Sequence, residues 1–171
     1  MELRLTRCVL RPWRPGDEPS LVRHADNRNI WMNVRDRFPH PYTAAHAAEW
    51  VRRATTEEPL TQLAIEVGGE AVGGVGIEVG TDVARRSAEI GYWLGEPFWG
   101  RGIATEAVQA FTAWAFATYD LVRIQAEVFA WNVASARVLE KAGYRFEGRR
   151  RRAVYKAGRL VDALGYAVVR E

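Results

Sequence analysis

Hydrophobic and polar positions follow two rhythms along the chain, and the changes between them mark its elements. In residues 88–94, Ile90, Tyr92 and Leu94 alternate with Glu89, Gly91 and Trp93, the period of two that a strand requires, and Gly95 and Pro97 end the run. After a glycine turn at residues 100–102, Ala104, Ala107, Val108, Phe111, Trp114 and Ala115 recur at three- and four-residue spacing, which predicts a helix with one apolar face. Upstream, residues 8–13 form a short strand stopped by Pro12 and Pro15, and Asp17 stands where it caps a helix through Leu21, Val22 and Ala25. Residues 27–42 show no period and read as a structured loop region. Thr43 then caps a second helix, residues 44–54, whose Arg52 and Arg53 suit a helix C-terminus. Residues 62–67 and 71–79 flank Gly68-Gly69-Glu70 as a hairpin, and a polar loop leads from them into the 88–94 strand.

Past the central helix, Val122, Ile124, Ala126 and Val128 alternate with Arg123, Gln125, Glu127 and Phe129, a half-buried strand. A strand joined to residues 88–94 through a helix lies parallel to them by a right-handed crossover. A short helix over residues 133–142 ends at Gly143, and two last strands, residues 144–155 and 161–169, meet at a turn over residues 156–159. The pattern predicts an α+β fold: flanking helices on a mixed sheet of about seven strands, antiparallel in its N-terminal part, with a parallel central pair.

Composition narrows the class. A chain of 171 residues, 48% hydrophobic and 26% charged, supports one core, and a single domain over residues 8–171 is expected. No apolar run is long enough for a membrane span, and the opening residues lack the apolar stretch of a signal peptide, so a cytoplasmic protein with no membrane contact is expected. One cysteine, Cys8, allows neither an internal disulfide nor a cysteine zinc cluster, and His40, between two prolines with no acid or second histidine at ligand spacing, gives no metal site. The net charge of +3 is too small to indicate nucleic acid. Arg145, Arg149, Arg150, Arg151, Arg152, Lys156 and Arg159 nevertheless cluster, either as a solvated strand edge or as an attractor for an acidic protein, ribosomal RNA or an anionic cofactor.

The turn at Gly100-Arg101-Gly102 is the candidate chemical centre. Its two glycines let backbone N–H groups face outward, and the helix beyond favours negative charge, so the turn is either an anion cradle or a plain connection. It lacks the third glycine of a dinucleotide fingerprint and the lysine of a phosphate loop, and several antiparallel strands precede it, which argues against a dinucleotide fold.

The run "EIGYWLGEPFWGRGIATEA", followed after a strand by "NVASARVLEKAGYRFEG", resembles the GNAT acyl-CoA-dependent N-acetyltransferases, most closely the branch that acetylates the N-termini of ribosomal proteins. Val9-Leu10-Arg11-Pro12-Trp13 and "GRLVDALGYAVV" are similar to the same branch, so the resemblance covers nearly the whole chain. One departure is Pro97, where the family's turn usually begins with Gln or Arg. The resemblance implies that the parallel pair splays, with the pantetheine arm of acetyl-CoA pairing with the backbone of Trp93 and Leu94 as an added strand would. The pyrophosphate would lie over the backbone from Trp99 through Gly100, Arg101, Gly102, Ile103 and Ala104 to Thr105, with Arg101 adding charge. Asn132 would hydrogen-bond the pantetheine, unless it is only a helix cap; Ser135 would protonate the departing thiolate or hold the water that does so, unless it is a solvent-facing hydroxyl.

The acceptor amine must lose a proton before it attacks. Glu89 is the candidate acceptor of that proton, with a salt-bridged strand carboxylate as its plain alternative. Cys8 lies far in sequence from both motifs, which favours direct transfer in a ternary complex over an acyl-enzyme. The resemblance places the acceptor groove at Trp31, Asn33, Arg35, Phe38, His40, Tyr42 and Tyr155, residues that could equally anchor their loop. The expected partner is a primary amine, on a protein N-terminus or a small compound, and a homodimer is one assembly open to the domain. The contrasting readings are a catalytically silent CoA-binding regulatory or scaffolding module and, led by the arginine cluster, an RNA-associated protein.

Overall fold

The computed structural model describes residues 1–171. Its eight strands and five α-helices run β1 (Leu3–Arg4), β2 (Val9–Pro12), α1 (Glu18–Ala25), α2 (Arg28–Trp31), α3 (Ala44–Thr56), β3 (Gln62–Val67), β4 (Glu70–Val79), β5 (Ser87–Leu94), α4 (Ile103–Thr118), β6 (Arg123–Phe129), α5 (Val133–Lys141), β7 (Arg145–Lys156) and β8 (Arg159–Val169). Hydrogen bonding orders the strands β1-β2-β3-β4-β5-β6-β8-β7. The β5–β6 pair is parallel, Ser87 to Glu89 against Arg123 to Gln125, as the helix between them dictates. The strand count exceeds the expectation through β1, two residues long and too short to carry a period.

Packing divides the chain into two compact units, residues 1–76 with 92–107 and residues 77–91 with 108–171. In the first, α1 and α3 bury Leu21, Ala25, Ala47, Val51 and Ala54 with Trp13 and Ala64, and Trp50 meets Trp13 edge-on at 6.1 Å. Thr43 caps α3 as its sequence requires: its hydroxyl accepts the His46 N–H at 3.3 Å while its own N–H donates to His46 Nδ1 at 3.0 Å. Asp17 departs from expectation. It occupies the N-cap position of α1 without a side-chain cap bond, because both its oxygens take the guanidinium of Arg11 at 2.9 Å, a charge-assisted pair stronger than a cap. Residues 27–42 are also more ordered than their pattern indicates, since Asn27 caps α2 by accepting the Asn29 N–H at 2.8 Å.

In the second unit, β6 pairs antiparallel with β8 and β8 with β7, which ends the strand order. The β7–β8 hairpin closes on Ala157 and Gly158, both with positive φ, the turn chemistry that matches strand twist. Between Arg150 and Val154 the register shifts and Arg152 adopts φ 52°. Ile124, Leu139 and Ala163 are fully buried, and Tyr144 shares a buried 2.7 Å hydrogen bond with Thr112 of α4.

Candidate active site

The glycine turn lies in the first unit, between the end of β5 and the start of α4. The Gly95 N–H donates to the Val72 carbonyl at 2.7 Å, and Glu96–Phe98 forms a single 3₁₀ turn with Pro97 exposed on it. The Trp99 indole N–H donates to the Leu94 carbonyl at 2.7 Å, which folds the turn back onto the strand end. Gly100 and Gly102 have φ of 73° and 77°, conformations that other residues adopt only with strain. Residues 100–102 are exposed, whereas Ile103, the first residue of α4, is buried and fixes the helix start in the core.

The first intrahelical bond runs from the Glu106 N–H to the Gly102 carbonyl at 3.1 Å, so helix geometry offers the N–H groups of Ile103, Ala104 and Thr105 no acceptor within α4. With the helix dipole behind them and no side chain on either glycine, these groups fit a phosphate. The Arg101 guanidinium lies over the Phe98 ring, 5.4 Å from its centroid, which holds a positive charge at the rim of the turn.

Trp93 and Leu94 end β5 beside β4. A Cβ on Gly73 would stand 2.5 Å from the Trp93 carbonyl oxygen, so only glycine permits this approach. Phe38 packs 5.7 Å from Trp93 and 5.3 Å from Tyr42, and Tyr42 is itself a core residue whose hydroxyl burial pushes its pKa up to about 12. Trp31, on α2, stacks on His40 at 5.4 Å, and the Arg28 guanidinium lies over the Trp31 ring, 5.5 Å from its centroid. Asn33 donates to the Asn29 carbonyl at 3.0 Å, and Asn29 in turn donates to Glu96 at 2.7 Å. Arg35 is exposed. The first unit thus holds the glycine turn and every expected acceptor-side residue but Tyr155, with Tyr42 and Phe38 serving the core.

Glu89, Asn132 and Ser135 fall in the second unit. Glu89, half-buried, pairs with Gln125 in the β5–β6 register. Asn132 caps α5: its Oδ1 accepts the Ser135 N–H at 3.3 Å, and this leaves the amide Nδ2 as its remaining donor group. Tyr155 is exposed on β7, as are Arg149 to Arg152, so the arginine run is a solvated outer strand. Arg149 bonds Asp162 at 2.5 Å, Arg150 pairs with Glu127, and the Arg152 N–H also donates to Asp162 at 2.8 Å; this N–H and then Arg149 hold the Asp162 carboxyl below its ordinary pKa.

Two residues meet near the turn although they lie far apart in sequence. Glu106, in the first turn of α4, accepts the backbone N–H groups of Thr6 at 3.0 Å and Arg7 at 2.8 Å. Cys8 lies against the same carboxylate, its sulfur 3.9 Å away, and burial first and Glu106 second push its thiol up to about 12. A thiol so held is protonated at neutral pH and is no nucleophile, which agrees with direct transfer.

Comparison with known proteins places this geometry. The family model described as an acetyltransferase (GNAT) domain matches residues 7–145. An uncharacterized N-acetyltransferase, p20 of Bacillus licheniformis, is 35% identical over 101 residues; the match spans 59% of this chain and 56% of that protein, little more than half its length. Among solved structures, Mycobacterium smegmatis RimJ in complex with CoA-disulfide superposes with a TM-score of 0.80 at 29% identity, over 95% of this chain and 81% of that one. RimL, a ribosomal L7/L12 alpha-N-protein acetyltransferase in complex with coenzyme A, shares the fold with a TM-score of 0.87 at 22% identity, over 99% of this chain and 98% of that one.

Proposed function

The chain belongs to the GNAT acetyltransferase family, and from that premise we propose that it transfers an acetyl group from acetyl-CoA to a primary amine, with residues 8–171 acting as one N-acetyltransferase domain. The match of the family model over residues 7–145, with the glycine turn and its outward N–H groups inside it, is the observation that carries this reading. The pyrophosphate rests on the N–H groups of residues 99–105, held by backbone and therefore indifferent to the side chain lost at Pro97.

Each named residue has one task in this reading. The backbone of Trp93 and Leu94 aligns the pantetheine arm, and a strand N–H polarises the acetyl carbonyl where negative charge develops. Asn132 offers its Nδ2 to the pantetheine while its Oδ1 caps α5. Glu89 takes the proton of the acceptor ammonium, directly or through water, so that the neutral amine forms the new C–N bond. The C–S bond then breaks as Ser135 passes its proton to the departing thiolate and takes up the second proton released by the attacking nitrogen. With Cys8 held as a thiol, no acyl-enzyme intervenes and positioning carries much of the rate.

A protein N-terminus is the acceptor this reading favours, since RimL, described as an alpha-N-protein acetyltransferase, shares the whole fold. A cytoplasmic setting suits both substrates, and no helix is long and apolar enough to cross a membrane. Incubation with acetyl-CoA and a panel of amines and N-terminal peptides, followed by mass spectrometry, tests the proposal: an acetylated α-amine is expected. Tight binding of CoA with no product from any acceptor would replace the enzyme with a silent CoA-binding module.

A further inference from the structure

We propose that Arg7 is a ligand to the pyrophosphate of the cosubstrate and that Glu106 is the positioning residue that holds it there, an inference that rests on the acetyl-CoA reading above. Arg7 lies just ahead of β2, nearly a hundred residues from the turn. Yet a Cβ built on Gly102 would stand 3.2 Å from Arg7 Nε and 3.7 Å from its Cζ. The guanidinium therefore lies along the side of Gly102 that the missing side chain leaves open. With 54% of its side chain exposed, it can turn its N–H fork toward an anion on the turn.

Glu106 explains why the guanidinium sits there. A carboxylate in the first turn of a helix suits the dipole, but next to an anion site it repels the ligand. Here both oxygens are engaged, one by the Thr6 N–H at 3.0 Å and the other by the Arg7 N–H at 2.8 Å. The guanidinium of Arg7, 3.9 Å from Glu106, is beyond hydrogen-bond reach of that carboxylate, so its donors are not consumed by it. The Leu5 N–H closes residues 5–8 into a turn on the Cys8 carbonyl at 2.9 Å, which adds stiffness to the anchor. The carboxylate thus spends its charge on backbone donors and, through them, fixes a cation beside the turn. A donor held before the ligand arrives saves ordering entropy on binding, and a guanidinium fork suits two phosphate oxygens at once.

Calorimetric titration of the full chain with CoA and with dephospho-CoA tests the assignment. Arg7→Ala should weaken both probes about tenfold, by the same factor and with an unchanged melting temperature, and Arg7→Lys should recover part of the loss. Added salt should shrink the difference between wild type and Arg7→Ala. Glu106→Gln keeps one acceptor oxygen and should weaken CoA about threefold, yet add nothing in an Arg7→Ala background. Wild-type affinity in Arg7→Ala would overturn the assignment alone. A loss confined to CoA would overturn it by moving Arg7 to the 3′-phosphate, and fully additive losses would remove the positioning role of Glu106. Failure of the wild type to bind either probe would instead overturn the acetyl-CoA reading, and this inference with it.

Discussion

Arg11 and Asp17 meet as a buried bidentate pair, two guanidinium-to-carboxylate bonds of 2.9 Å with side chains 2% and 7% exposed. Removing one partner from such a pair strands a charge away from water. Glu66 also contacts Arg11, so part of the compensation survives. Asp17→Ala should therefore cost about 3 kcal/mol in urea unfolding, the low end for breaking a buried pair. A loss below about 1 kcal/mol would mean that the pair behaves like a surface salt bridge.

Gly102→Glu should weaken CoA binding by more than tenfold, on the order of 2 kcal/mol from strain and repulsion together. The new side chain would be forced into φ 77° and would meet Arg7 at 3.2 Å. Its carboxylate would then occupy the guanidinium and face the phosphate with like charge. Calorimetry with CoA reads the effect, and unchanged affinity would displace the phosphate from the turn.

Asn132 has two separable tasks, and two substitutions divide them. Asn132→Ala should lower stability by about 1 kcal/mol through loss of the α5 cap and lower turnover as well. Asn132→Asp keeps a cap acceptor for the Ser135 N–H and removes the Nδ2 donor, so it should restore the melting temperature and leave turnover about tenfold down. Normal turnover in Asn132→Asp would reduce the residue to its cap.

Alkaline pH should destabilise the fold through groups that burial keeps protonated. Cys8 is raised from 9.0 to about 12, and Tyr42 and Tyr144 from 10.0 to about 12. Between those values the unfolded chain releases protons that the folded chain retains, so stability is complete below about pH 9 and falls as pH rises toward 12. Denaturant titrations across this range should show the decline, shallower in Cys8→Ala. A thiol reagent at about pH 8 should label Cys8 only after denaturation, and prompt labelling of the native protein would contradict its placement.

The regular elements were legible because each follows one period closely: the β3–β4 hairpin, β5, α4, β6 and α5 all lie within a residue or two of their patterns. Three features escaped, each for a physical reason. β1 is too short for a period, α2 is a single turn whose signal is one capping asparagine, and Asp17 is taken by the Arg11 guanidinium of the preceding strand, a charge-assisted pair stronger than a local cap. At the candidate site, the glycine turn is local and could be read from neighbouring residues. Arg7 and Glu106 could not, because their relation is created only when chain segments nearly a hundred residues apart meet.

The Asn29–Glu96 hydrogen bond, 2.7 Å long, makes the helix that carries Trp31 and the turn that precedes the glycines two ends of one strut. Free energy that stiffens either end is shared with the other, and the exchange is equal in both directions. In the proposed reading, with the cosubstrate on the turn and the acceptor beside Trp31, binding of either should raise affinity for the other by the same factor. A single bond between exposed side chains limits the effect to about 1 kcal/mol, or about fivefold. Substrate order would then be a preference rather than a rule, and severing the strut with Asn29→Ala would make the two bindings independent.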